Sequence, residues 1–141
     1  MTDTNLAPAA TFLLRVALGT MFIAHGLLKV FVFTLPGTVA FFESLGLPGW
    51  TAHAVIAAEV GGGLLLVLGV QARWVALALV PVLLGATWSH IGNGWTFNAP
   101  NGGWEYPLYL TLLAVVQAML GDGAFALVRS TPLGAGRLRL A

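Results

Sequence analysis

The sequence predicts an all-α membrane protein, a polytopic four-helix bundle with a short interfacial helix between the first and the second span. Of its 141 residues, 58% are hydrophobic and only 8% are charged, whereas a soluble globular domain carries about 25% charged residues. Mean hydropathy is +0.90. Four long apolar segments take up most of the chain, and a spanning helix needs about 20 such residues. A single transmembrane domain over residues 1–141 follows.

In the first half of the chain, apolar runs and helix-ending residues define the elements. The first span is predicted over residues 8–33, and the Leu-Pro-Gly sequence at 35–37 ends it, because proline lacks a backbone donor and glycine tolerates turn geometry. Residues 38–45 place apolar side chains at helical spacing with Glu43 on another face, which favours the interfacial helix. The second span is predicted over residues 52–70, after a cap at Thr51.

The second half contains two further spans and one loop. The third span is predicted over residues 74–91. Residues 93–104 are too rich in Gly, Asn and Pro for a helix or strand, so they form a loop. The fourth span is predicted over residues 106–128, with Pro107 tolerated in the first turn.

The distribution of basic residues predicts the orientation. Cytoplasmic flanks of membrane spans collect Lys and Arg. Four spans place both termini and the loop near residue 72 on one side, and only Lys29 among the basic residues lies toward the other side. We therefore predict a multi-pass protein with the N-terminus and the C-terminus in the cytoplasm. The basic residues on the inner side are Arg15, Arg73, Arg129, Arg137 and Arg139.

Composition also excludes several classes of function. The chain has no cysteine, so it forms no disulfide, thiolate metal site, iron-sulfur cluster or covalent c-type haem attachment, and we predict no metal site. The net charge is +1 without a basic surface run, which gives no reason to expect nucleic acid as a partner. An acidic N-terminus argues against a cleaved signal peptide, so we predict that the first apolar segment is a membrane span of the folded protein.

Ionisable side chains within the spans predict a functional pocket. A charged group in hydrocarbon costs about 2.5 to 3.5 kcal/mol on insertion scales, so those that occur there are usually paired and functional. A polar stripe on the first helix must therefore face the bundle interior, and small residues around Glu59 on the second span allow a neighbouring helix to come close. The stripe consists of Arg15, Leu18, Phe22, His25 and Lys29.

Depth predicts which of these groups meet. At 1.5 Å per residue, His25 and Glu59 both lie about 12 Å below the outer ends of their spans. We predict a funnel with His25 and Glu59 at its floor and Lys29 on its wall, and these three are the candidate catalytic residues. The candidate substrate-binding residues lie toward its mouth, and they are Trp88, His90, Trp104, Glu105 and Tyr109.

The ionisable residues among these have structural alternatives. Lys29 and Arg15 could extend to the headgroups on their own sides. Glu105 could be an ordinary acid in the first turn of a helix, and His90 a polar residue at the interface. A hydrogen bond between helices is the structural alternative for the deep pair of His25 and Glu59.

Several short motifs resemble the DoxX/DoxD family of small four-helix membrane proteins. They are His25-Gly26-Leu27-Leu28-Lys29, Gly46-Leu47-Pro48 and Glu59-Val60-Gly61-Gly62-Gly63, followed by Arg73. The resemblance implies a protein of the bacterial or archaeal cytoplasmic membrane, often a subunit of redox enzymes or encoded with them. DoxD-like members are linked to thiosulfate:quinone oxidoreductase activity. We do not expect thiosulfate as a substrate of this protein, because Glu59 and Glu105 offset the positive charge that an anionic substrate would need.

Two functions remain open at this point. The first is a membrane component of an oxidoreductase system that binds a quinone or a similar small aromatic, since a quinone needs hydrogen-bond donors at its carbonyls and an apolar, aromatic wall. His25 is expected to donate to a carbonyl and relay its proton. The second is a non-catalytic membrane partner or small-molecule carrier. Haem b between His25 and His90 is disfavoured, because their depths differ by about 10 Å. The expected partners are the lipid bilayer and a redox partner protein or further copies of the chain.

Overall fold

The computed structural model describes residues 3–133, and the regular structure in that range is helical. Three of its helices are long and apolar enough, by length and composition, to cross a membrane. The all-α polytopic fold predicted from the sequence is thereby confirmed, including a short helix between the first two spans. The helices are α1 (Ala7–Phe31), α2 (Leu35–Ser44), α3 (Trp50–Leu68), α4 (Ala72–His90) and α5 (Glu105–Leu120), and a 3-10 turn (Ile91–Asn93) follows α4.

Helix α5 is shorter than the fourth span that the sequence predicts. It has 16 residues, about 24 Å at the α-helical rise, and four spans remain a prediction. The helix ends because Gly121 and Gly123 adopt positive φ angles of 91° and 71°, a region that glycine enters without steric cost. The apolar residues after Gly123 therefore do not extend the helix to Val128.

Two helix pairs build the bundle, because α1 packs mainly on α3 and α4 mainly on α5. Close approach of α1 and α3 depends on Gly19 and Gly63, since a Cβ on either glycine would lie 2.7 Å from the carbonyl oxygen of the other. Small residues at such crossings bring helix backbones into contact. The buried core consists of Leu18, Phe22, Leu66, Ala72, Ala76, Leu79, Leu83, Leu110, Ala114 and Ala118.

Helix α2 lies against the end of the first pair. Thr34 precedes it with φ 66°, and the Thr34 side chain accepts a hydrogen bond from the Gly37 amide. Inside α2, the buried Thr38 hydroxyl donates to the Lys29 carbonyl oxygen at 2.7 Å. This bond fixes α2 beside the last turn of α1.

The opposite end of the bundle is closed by the segment that follows α5. Residue Val128 pairs in parallel with Val70 between α3 and α4, and Asp122 accepts hydrogen bonds from the Ala72 amide at 2.9 Å and the Ser130 hydroxyl at 2.7 Å. Arg15 is fully buried here and donates to the Ala124 carbonyl at 3.0 Å. The headgroup alternative for Arg15 is therefore wrong, because its guanidinium is enclosed by protein.

Candidate functional site

The centre of the candidate site is an ion pair between α1 and α3. Lys29 Nζ lies 2.8 Å from both Oε1 and Oε2 of Glu59. The Glu59 side chain is 8% exposed and that of Lys29 is 19% exposed. Gly26 allows this approach, because a Cβ there would lie 3.3 Å from the Glu59 Cβ. The sequence prediction that Glu59 contacts this face of α1 is confirmed, and Lys29 points to Glu59 and not simply to the headgroups.

His25 takes a different partner from the one that matched depth suggested. Its Nδ1 lies 2.9 Å from the Met21 carbonyl oxygen on the same helix, and its ring centroid lies 6.0 Å from that of Tyr106 on α5. The Tyr106 hydroxyl in turn lies 2.7 Å from Met21 Sδ. His25 therefore joins α1 to α5, whereas the ion pair joins α1 to α3.

An open groove of about 370 Å³ lies beside Tyr106. Glu105 and Tyr109, both predicted as substrate-binding residues, line this groove, while Trp88, His90 and Trp104 are not among its lining residues. Glu105 Oε1 accepts a hydrogen bond from the Phe97 amide at 3.0 Å, which ties the loop to the start of α5. The lining residues are Trp95, Phe97, Glu105, Tyr106 and Tyr109.

The remaining predicted residues have contacts of their own. His90 Nδ1 lies 2.7 Å from the Ala86 carbonyl oxygen and 3.0 Å from Ser89 Oγ, so its hydrogen bonds stay within α4. The Trp104 ring packs edge-on against the Trp95 ring, with centroids 4.5 Å apart. Trp88 is 54% exposed. Trp104 therefore packs within the loop region, the hydrogen bonds of His90 stay within α4, and none of the three residues lines the groove.

Sequence reasoning missed four contributors to this region, Met21, Trp95, Phe97 and Tyr106. Trp95 and Phe97 lie in a segment that could be recognised only as a loop, although two aromatic residues in a Gly- and Asn-rich stretch were a signal. Tyr106 was taken as the first residue of a span. The contact of Tyr106 with α1 could not be predicted, because α5 is apolar on all sides and its sequence does not show which face packs on α1.

Comparison with known proteins agrees with this fold. The DoxX family model matches residues 10–92, which include α1 to α4 almost completely and both residues of the ion pair. The chain therefore belongs to the DoxX family of membrane proteins, as the sequence motifs indicated.

A curated relative comes from Bacillus subtilis (strain 168) and bears the name "Putative oxidoreductase CatD". It is 35% identical to this chain over 118 residues, which is 83% of each of the two chains. No solved structure matches the chain.

Proposed function

We propose that this protein is a membrane component of an oxidoreductase system and binds a quinone or a similar small aromatic in the outer half of its bundle. The observation that carries the proposal is the Lys29–Glu59 pair, with both N–O distances at 2.8 Å. A buried ion pair is weak evidence for stability, since desolvation of two charges offsets most of their attraction. Ionisable residues within membrane helices are more often functional, and this pair lies one helical turn from His25.

Each of the three candidate catalytic residues has its own role in the proposed reaction. His25 exchanges a proton with the ligand, Glu59 holds or exchanges protons, and Lys29 stabilises negative charge that develops on the ligand oxygen. Interconversion of a quinone and a hydroquinone moves two electrons and two protons. The electrons pass to or from a redox partner protein or a second substrate.

The groove beside Tyr106 supports the proposal that the ligand is aromatic. Ligand sites are mainly apolar with a few polar groups that fix orientation, and here four aromatic rings surround one carboxylate, that of Glu105. The name of the Bacillus subtilis relative, an oxidoreductase, is consistent with this class of function.

We place the protein in the bacterial or archaeal cytoplasmic membrane with four spans and both termini inside. In that orientation the ion pair and the groove lie in the outer half, because α1 ends and α5 begins at the outer surface. The groove is then reached from the outer interface or from lipid.

A double-mutant cycle on the ion pair tests the proposal. Glu59→Gln and Lys29→Met each leave one buried charge unpaired, which destabilises by about 3 to 5 kcal/mol. Combining them removes both charges, so membrane level should return toward that of the wild type. Membrane level, binding of a short-chain quinone and redox turnover of complemented membranes are measured for all four proteins.

The cycle separates catalysis from assembly. If the pair is catalytic, the double variant regains abundance but not turnover. If the double variant regains turnover together with abundance, the catalytic role is wrong. Met119→Leu is the control, because Met119 is exposed on α5 and is not part of the ion pair between Lys29 and Glu59.

The second candidate function is a non-catalytic partner or small-molecule carrier. One observation favours it: Lys29 engages both oxygens of Glu59, which suffices to fix the register of α1 against α3. In that case the double variant should be fully functional, since an apolar or neutral pair of similar volume can replace a buried ion pair.

A further inference from the structure

We infer that His25 makes the site selective for the ligand state that donates a hydrogen bond, a hydroquinone or related phenol, over the oxidised quinone. This inference rests on the proposed function and concerns only which form binds more tightly. It requires no electron transfer, because the contact is a phenolic O–H donating to a ring nitrogen.

The selectivity follows from the Nδ1 contact of His25. A backbone carbonyl oxygen can only accept a hydrogen bond, and the Met21 carbonyl lies 2.9 Å from His25 Nδ1. Nδ1 must therefore carry the hydrogen. In the neutral ring the other nitrogen, Nε2, is then an acceptor with no hydrogen to give. A quinone carbonyl is also only an acceptor, so the two repel, whereas a hydroxyl donates to Nε2.

His25 is not among the residues that line the groove, but its ring lies 6.0 Å from that of Tyr106, which does line it. Tyr106 and Glu105, which both line the groove, favour the same kind of ligand. The hydroxyl of Tyr106 lies 2.7 Å from Met21 Sδ. Because a thioether sulfur can only accept, this contact uses the tyrosine hydrogen and leaves oxygen lone pairs. Glu105 already receives the Phe97 amide, and its carboxylate offers further acceptor positions. Both groups therefore favour a ligand that brings its own hydrogen.

A ligand series on the purified full-length protein in nanodiscs tests the inference. The probes are a short-chain hydroquinone, the matching quinone and the dimethyl ether of the hydroquinone, and binding is measured by calorimetry without oxygen. We expect the hydroquinone to bind about five- to tenfold more tightly than the other two, as one hydrogen bond allows. The ether separates donation by the hydroxyl from a simple preference for an electron-rich ring.

The variant His25→Gln assigns the selectivity to the residue. Because glutamine offers both a donor and an acceptor, the ratio of the two affinities should fall several-fold, to the smaller preference that Tyr106 and Glu105 maintain. His53→Gln, at an exposed position on α3, is the matched control and should keep the wild-type ratio. If His25→Gln does not fold, ¹⁵N NMR of wild-type His25 still decides the point, since hydrogen on Nε2 in the neutral ring would overturn it.

The outcomes distinguish this inference from the proposed function. Equal or tighter binding of the quinone overturns the selectivity but leaves an aromatic-binding site. Binding of none of the three probes, with a normally folded protein, removes the proposed site and the inference together.

Discussion

Thr38 on α2 donates its hydroxyl hydrogen to the backbone carbonyl of Lys29, 2.7 Å away, while the side chain of Lys29 binds Glu59 on α3. One residue thus joins three helices. The hydroxyl lies in a buried position, with Thr38 3% exposed. Because a buried carbonyl without its donor keeps the desolvation penalty, Thr38 supports the turn from which Lys29 projects.

We predict that Thr38→Val, which keeps the shape but removes the donor, lowers the free energy of unfolding by about 1 to 2 kcal/mol. Backbone amides of α2 should also exchange faster with deuterium than in the wild type. The matched control is Thr51→Val, whose hydroxyl bonds only the nearby Pro48 carbonyl. Equal exchange in α2 for both variants would show that this hydrogen bond does not fix α2.

The crossing of α1 and α3 gives a second prediction. Gly63→Ala should destabilise the protein and lower its membrane level, because the new Cβ would lie 2.7 Å from the Gly19 carbonyl oxygen. Gly61→Ala is a matched control on the same helix, since a Cβ there meets no atom within 4 Å. It should be neutral or stabilise by up to about 1 kcal/mol, the difference in helix propensity. Thermal unfolding in detergent compares the two, and an equal loss in both would contradict the close crossing.

The ion pair could be predicted from the sequence because helix geometry determines both depth and face. A rise of 1.5 Å per residue put Glu59 at the depth of His25 and about one turn below Lys29, and steps of three and four placed both His25 and Lys29 on the interior stripe that Glu59 was expected to contact. The same reasoning predicted that His25 lies beside Glu59. It could not reveal that a histidine in a helix can satisfy Nδ1 on the carbonyl four residues earlier, here that of Met21.

The segment after α5 could not be predicted because its structure depends on distant residues. Residues 124–128 (AFALV) are as apolar as a span, and hydropathy alone continues the helix through them. In the structure, pairing of Val128 with Val70 and the Asp122 hydrogen bonds to Ala72 and Ser130 hold this segment instead. Local patterns carry no information about such pairing between residues 50 or more positions apart in the chain.

Topology gives a third prediction. With the cytoplasmic side defined by the excess of basic residues, a cysteine at Asn98 in the outer loop should react with a membrane-impermeant maleimide in intact cells. Pro132→Cys should react only after permeabilisation. The chain has no native cysteine, so the background is low. Reaction of Pro132→Cys in intact cells would contradict the orientation, and reaction of both only after permeabilisation would contradict the four spans.

The last prediction concerns pH and Asp122, which lies beyond the end of α5. Burial alone would raise the pKa of Asp122, but hydrogen bonds from the Ser130 hydroxyl and amide and from the Ala72 amide outweigh burial and lower it below its ordinary value. A carboxyl whose pKa is lower in the folded state stabilises the protein above its unfolded pKa, about 3.9. That stability is lost as pH falls through the folded pKa.

We therefore expect Asp122→Asn to cost about 2 kcal/mol or more at pH 7, as loss of hydrogen bonds to a charged group implies. The difference in free energy of unfolding between the wild type and Asp122→Asn should shrink as pH falls below about 4. Thermal unfolding of both proteins between pH 7 and pH 3 measures it, and the comparison cancels titration of the other carboxyl groups. A difference that stays constant over this range would mean that ionised Asp122 does not hold the segment after α5 against α4.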